Sequence, residues 1–315
     1  MLAKLRTKWG IQVSGKLKKI WHILTDRDKR FAVLAYHGFY KRMDDETYLK
    51  RLFKIRTGYN LNLDNPKTFN EKLQWLKLND RNPLYTQLVD KYAVKEYVAN
   101  LLGNEYIIPT YGVWEKFDDI DFSQLPNQFV LKCTHDSGGI VICKDKSKLD
   151  IQKAKKILDK ALKTDFYLLG REWPYKNVKR RIIAEKYMGE LSGDSLTDYK
   201  LMCFNGKVKC TFTCTDRNVP GGLKVTFFDN SWKKLPIERH YPSDSKKIEK
   251  PQQFEQMKSM AEILAKDIPF VRIDFYEVQG KVFFGEMTFY PGAGFEEFSK
   301  IEYDIELGNM IQLNR

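Results

Sequence analysis

Long apolar runs are missing from this chain of 315 residues. No stretch of eighteen apolar residues occurs, so no segment is expected to span a bilayer. The N-terminus lacks the short apolar core and small-residue cleavage site of a secretory signal. Cysteine is scarce and odd in number. Cys133, Cys143, Cys203, Cys210 and Cys214 all lie in apolar or strand-like stretches and none forms a CxxC pair. This argues against a disulfide framework and against a common zinc arrangement. A reducing cytoplasm is therefore the expected compartment. Internal repeats and low-complexity tracts are also absent.

What is present is a chain with 43% hydrophobic residues, enough to bury a core in one large domain or two interleaved ones. The net charge of +13 is unevenly placed: residues 1–60 carry fifteen Lys or Arg against five Asp or Glu, a local +10. That segment expects an anionic partner, whether lipid, acidic polymer or nucleic acid. Leu2, Leu5, Trp9, Val13, Leu17, Trp21 and Leu24 recur at helical spacing, with Lys4, Arg6, Lys8, Lys16, Lys18 and Lys19 around them. Gly10 and Gly15 weaken the helix. Such a helix suits an anionic membrane surface or packs on its own domain. No nucleic-acid motif accompanies it, and its aromatics share one helical face instead of forming a stacking platform, so nucleic acid is not expected.

The rest alternates between helical and strand patterns. Residues 44–60 read as a helix turning at Gly58. Thr68 with Glu71 forms a capping box for a helix through Gln74. Further helices are expected over 90–102, 149–162 and 254–265. Strands are expected at 107–109, 129–133, 140–143, 182–188 and 225–229. Asn205-Gly206 signals a hairpin within 199–214, and Gln279-Gly280 turns a second one, 271–277 with 281–289. Antiparallel hairpins among helices make the fold class α+β.

Three constellations carry chemistry. Lys132 leaves an apolar strand just before His135-Asp136-Ser137-Gly138-Gly139, where glycine lets backbone N–H groups approach phosphate oxygens. An ordinary surface turn has the same composition. A lone loop histidine is seldom catalytic, so His135 is read as capping the turn. Glu185 ends the apolar strand Ile182-Ile183-Ala184, where it can meet an exocyclic amine or ribose hydroxyl. The third group is strongest: Arg272 and Asp274 share one strand face, Glu286 and Thr288 another, and the Gln279-Gly280 turn makes the strands neighbours. Two carboxylates suit a hard cation whose other positions are filled by nucleotide oxygens. As a plain cross-strand ion pair, two acids and one base would leave a residual charge.

In chain order, Asp90-Lys91-Tyr92, Lys132 with its loop, Glu185-Lys186-Tyr187, Arg272-Ile273-Asp274-Phe275 and Glu286-Met287-Thr288 resemble the ATP-grasp superfamily from about residue 64 onward. Asn65-Pro66-Lys67-Thr68-Phe69-Asn70-Glu71-Lys72, Asp198-Tyr199-Lys200 and Phe284-Gly285-Glu286-Met287-Thr288-Phe289 resemble its TupA-like branch, named for teichuronopeptide synthesis and found in exopolysaccharide and capsule loci. The resemblance implies an ATP-grasp fold over 61–315, with antiparallel sheets cradling the nucleotide, a lid at about 111–185, and the basic helical segment 1–60 in front. It implies ATP and Mg²⁺ as cofactors. Lys91 and Lys132 would bind phosphates and the backbone of Asp136, Ser137, Gly138 and Gly139 would cover them. Glu185 and Lys186 would hold the adenine end, with Met188 against the ring. Asp274 and Glu286 would hold Mg²⁺, and Arg272 would steady the transferred phosphoryl group. Ligases of this superfamily usually carry Asn where Thr288 stands; a hydroxyl ligates Mg²⁺ more weakly. Lys200 and Arg217 are further candidates, Arg217 for an acceptor carboxylate.

The implied reaction is ATP-driven carboxylate–amine ligation on a small-molecule or polysaccharide-precursor substrate. Rival readings are a glycosyltransferase, with Asp118-Asp119-Ile120-Asp121 or Asp216-Arg217 as its metal motif, and a non-catalytic nucleotide-binding protein at the membrane. Deleting residues 1–24 should abolish co-sedimentation with anionic liposomes while sparing ATP turnover. Loss of solubility on deletion would show that the apolar face packs on the protein itself.

Overall fold

A computed structural model describes residues 25–189, 196–216 and 222–313. The basic helix expected at 2–24 lies outside them. The chain divides into two compact units, Met1–Asn60 and Leu61–Arg315. No described helix is long and apolar enough to cross a membrane.

In the first unit the described residues form two helices, Arg27–Tyr36 and Asp45–Thr57. Asp26 and Asp44 cap them through side-chain oxygens, and Gly58 ends the second in the left-handed conformation. Phe31 stacks on Tyr40 and carries the Arg51 guanidinium on its ring.

The second unit holds two wholly antiparallel sheets. The first has the order β1-β4-β2-β3, with β1 Thr110–Trp114, β2 Phe129–Cys133, β3 Ile140–Cys143 and β4 Ile182–Lys186. The face bearing Phe129, Leu131, Cys133, Ile182 and Ala184 packs on Ala154, Leu158 and Ala161 of the Ile151–Lys163 helix. The opposite face carries Val130, Lys132, Ile183 and Glu185. The second sheet has the order β7-β6-β5-β8-β9: β5 Asp198–Phe204, β6 Lys207–Thr215, β7 Lys224–Phe228, β8 Phe270–Val278 and β9 Lys281–Thr288. The hairpin turns at Asn205-Gly206 and Gln279-Gly280 both have two consecutive positive φ values, as the twist of tight hairpins requires. Phe204, Phe270 and Phe69 of the Phe69–Asn79 helix form an aromatic knot at one end of this sheet.

The capping box of Thr68 and Glu71 is present, but its helix runs on to Asn79. The helix expected from Asp90 starts at Ala93, because the Asp90 carboxylate accepts from the N–H groups of Tyr92 and Ala93 and caps the turn instead. The strand expected at 107–109 is a single bridge from Ile107 to Phe284: Pro109 has no N–H to extend a ladder, and the strand begins at Thr110.

The extension to Asn79 carries Lys77, a fully buried lysine. Its Nζ donates to Gln74 Oε1 at 2.9 Å and to the carbonyls of Gly170 and Ala293 at 2.7 Å each. Gly292, Ala293 and Gly294 are three successive left-handed residues directly beyond β9, so Lys77 and Gln74 clamp a strained turn. Glu172 is buried nearby. Burial pushes its carboxyl up to about 7 against the opposing Lys77 charge. A carboxyl whose pKa rises on folding takes up a proton, so its contribution is complete below the ordinary value of 4.5 and lost as pH rises through about 7. Glu172→Gln should therefore flatten the decline in stability over that window, measured as urea midpoints at successive pH values.

Candidate active site

The centre of the second sheet brings five of the expected residues together. Asp274 of β8 lies opposite Glu286 of β9 and Lys200 of β5, and Arg272 lies opposite Thr288. Asp274 is only 1% exposed. The Arg272 guanidinium grips it with Nε on Oδ1 at 2.6 Å and a terminal nitrogen on Oδ2 at 2.8 Å, and Lys200 Nζ pairs with the same Oδ2. The same Arg272 nitrogen reaches Glu286 Oε1 at 2.9 Å, while Thr288 Oγ1 is 3.5 Å from that oxygen. Burial alone would raise the Asp274 pKa, but Arg272 and then Lys200 hold it below the usual carboxylate value. Lys200 lies inside β5, and it cancels the residual charge expected of two acids with one arginine.

A β-bulge makes this arrangement possible. Asp274 faces Glu286, yet Phe275 faces Phe284, so Gly285 is an extra residue on β9. Strict alternation would put Phe284 and Glu286 on one face. With the bulge, Phe284 and Met287 both enter the core, and Glu286 joins Asp274. A Cβ at position 285 would lie 3.0 Å from the Asp274 carbonyl oxygen, which makes glycine the natural occupant.

The first sheet supplies a second cluster. Glu185 forms ion pairs with Lys132 Nζ through Oε2 and with Lys95 Nζ through Oε1, both at 2.5 Å. Burial pulls the Lys132 ammonium down. The Glu185 charge outweighs it, and Glu286 and Asp198 act in the same direction, so its pKa stands above the ordinary lysine value. Lys132 thus lies in the field of both sheets. Sequence reasoning missed Lys95, which projects from the helix that begins at Ala93.

The loop after β2 is tied down. Lys91 Nζ donates to the Asp136 carbonyl, and the Asp136 carboxylate accepts the Gly139 N–H at 2.8 Å. That N–H, one of the donors expected for phosphate, is engaged within the loop. Ser137 and Gly138 are exposed, whereas a Cβ on Gly139 would lie 2.5 Å from the Ala161 Cβ. His135 does not cap this turn: its ring is within 3.2 Å of the Ala161 carbonyl and 3.3 Å of Thr164 O, at the end of the Ile151–Lys163 helix. The Lys186 N–H donates to Pro109 O at 3.0 Å, and Met188 packs with Ile108 and Val278. Arg217 lies outside the described residues. Of the rival acidic motif, Asp118 pairs with Lys155 and Asp121 caps Ser123, both at the surface.

Among the described residues no three His, Cys, Asp or Glu side chains cluster to hold a metal by themselves. Asp274 and Glu286 fit a hard cation as a pair of oxygen donors, with phosphate oxygens supplying the other positions. Two antiparallel sheets with a lysine–glutamate cluster on one and paired acids with arginine on the other define an ATP-grasp protein. The chain belongs to the TupA-like ATP-grasp family, whose model matches residues 71–312. No curated protein matches the chain. Among solved structures it is similar to the D-alanine–D-alanine ligase of Helicobacter pylori, with 14% identity, a TM-score of 0.41, and coverage of 77% of this chain and 69% of that one. It is similar also to the D-alanine–D-alanine ligase of Bacillus anthracis complexed with ATP, with 17% identity, a TM-score of 0.39, and coverage of 71% and 66%. A third is the biotin carboxylase domain of 2-oxoglutarate carboxylase from Hydrogenobacter thermophilus, with 17% identity, a TM-score of 0.41, and coverage of 73% and 47%.

Glu286 is 41% exposed at its side chain, so Glu286→Gln should leave the melting temperature nearly unchanged. Turnover should drop on the order of 100-fold, since an amide replaces an anionic oxygen in the cation's shell. Arg272→Lys should harm turnover more than nucleotide binding, because an ammonium cannot span both acids. Unfolding of Glu286→Gln with full activity per folded molecule would mark the pair as scaffold.

Proposed function

We propose that this protein is a carboxylate–amine ligase that joins an amino compound to a sugar acid in bacterial surface polysaccharide synthesis. The observation that carries the reading is the Arg272 guanidinium bridging Asp274 and Glu286, in a unit whose other sheet holds Lys132. ATP supplies the phosphoryl group that turns a carboxylate into an acyl phosphate, from which an amine displaces phosphate.

Each residue then has a task. Lys132 neutralises phosphate charge from the first sheet, and Lys91 fixes the loop of residues 136–139 over it. Glu185 and the backbone of Lys186 hold the adenine end, with Met188 lining the wall. Asp274, Glu286 and the weaker Thr288 hold Mg²⁺. Arg272 is anchored on both acids and needs no reorientation to meet negative charge developing on a transferred phosphoryl group. Lys200 keeps Asp274 ionised, and Arg217 receives the acceptor's acid group. The basic N-terminal segment, residues 1–24, would hold the enzyme at an anionic membrane face, near lipid-linked precursors. The sugar-acid substrate is supported by the family's name and by the chain's basic charge.

Mg·ATP should raise the melting temperature by mass action. ADP release should appear in a screen of uronic acids paired with amino acids. Stabilisation by sugar nucleotides alone, without ADP release in any pairing, would sink the proposal in favour of glycosyl transfer.

A further inference from the structure

One buried carboxylate, Glu185, holds two ammonium groups, and the two are not equivalent. Lys95 pairs with Glu185 Oε1 at 2.5 Å and donates to the Ile108 carbonyl at 2.6 Å, so both side chain and backbone fix it. Lys132 has Glu185 Oε2 as its close partner, at 2.5 Å. Side-chain exposure rises from 6% at Glu185 through 13% at Lys95 to 22% at Lys132, which makes Lys132 the open end of the triad. Lys132 also feels Glu286 and Asp198 of the second sheet, whereas the charges that act on Lys95 among the described residues are Glu185 and Lys132. An anion arriving between the sheets meets Lys132 first and must compete with Glu185 for it.

We propose that Lys95 is a positioning residue for nucleotide binding: it keeps the buried Glu185 carboxylate compensated while Lys132 exchanges that carboxylate for a phosphate oxygen of ATP. The inference rests on the ATP reading of Lys132. Without Lys95, transfer of Lys132 to phosphate would leave a buried carboxylate with no counter-charge, a heavily penalised state. Lys132 would stay on Glu185, and the nucleotide would bind weakly. With Lys95 present, the exchange replaces one ion pair by another and strands no charge. Glu185 then sets how tightly Lys132 is held in reserve, and Lys95 sets how readily it is released.

The exchange has a signature that a merely structural lysine lacks. Removing the Glu185 charge should cure the loss of Lys95. The test is a double-mutant cycle of wild type, Lys95→Met, Glu185→Gln and the double variant, with the Kd for Mg·AMP-PNP read by calorimetry and folding checked by thermal melts. Lys95→Met should weaken binding by about tenfold or more, the scale of losing a buried supporting partner. The double variant should recover to within about threefold of Glu185→Gln. Should Lys95→Met fold poorly, Lys95→Gln keeps a donor for Ile108 and enters the same cycle. Lys95 variants that bind like wild type would overturn the proposal, as would a double variant as weak as Lys95→Met. If wild type itself does not bind Mg·AMP-PNP, the ATP reading falls together with this one. Binding by wild type with an additive cycle overturns the exchange alone.

Discussion

A carboxylate as deeply buried as Asp274 stays ionised only if positive charge meets it from more than one side. Arg272 arrives from two residues away on the same strand, and Lys200 from the neighbouring strand. This demand fixes much else. Lys200 must sit directly opposite Asp274, which sets the β5–β8 register. Glu286 must come within reach of the same guanidinium, which sets the β8–β9 register. A slip of one residue in either pairing would turn a charge into the apolar core and leave another without a partner. The charged face is thus a constraint on the sheet as well as the place where chemistry is proposed.

The first sheet follows the same logic with the signs reversed. There a single carboxylate, Glu185, answers two lysines from different elements, one from the helix before β1 and one from β2. The unit gives these buried carboxylates cationic partners within their own sheets, and keeps a lysine of one sheet in the field of the other's acids.

Much of this was legible in the sequence where the signal is local. The apolar run Phe129–Cys133 marked the strand around Lys132, alternation marked those around Asp274 and Glu286, and the capping box marked the start of the Phe69–Asn79 helix. The two hairpin turns followed from their glycine pairs. What was not legible is long-range. Nothing in Thr110–Trp114 says that it pairs with β4, and nothing near Lys95 points to a glutamate ninety residues away. Lys77 looks like a surface residue by type; the Gln74 amide oxygen one turn earlier and the carbonyls of Gly170 and Ala293, far away in sequence, make its burial tolerable. Ligand identity lies further off still, because the residues that would read a sugar or an amine need share no periodicity with one another.

The bulge at Gly285 gives β9 two reading frames. Up to Phe284 the strand is phased by its hairpin; from Glu286 onward it is phased by the acids and by Met287 in the core. The tip at Gln279-Gly280 could gain or lose a pair of residues in both strands and preserve every contact beyond it. Deleting the one residue at 285 would instead rotate one half of the strand against the other, and either Phe284 or Glu286 would end on the wrong side. Length between Phe284 and Glu286 is therefore a heritable requirement in its own right, separate from the identity of the residues on either side.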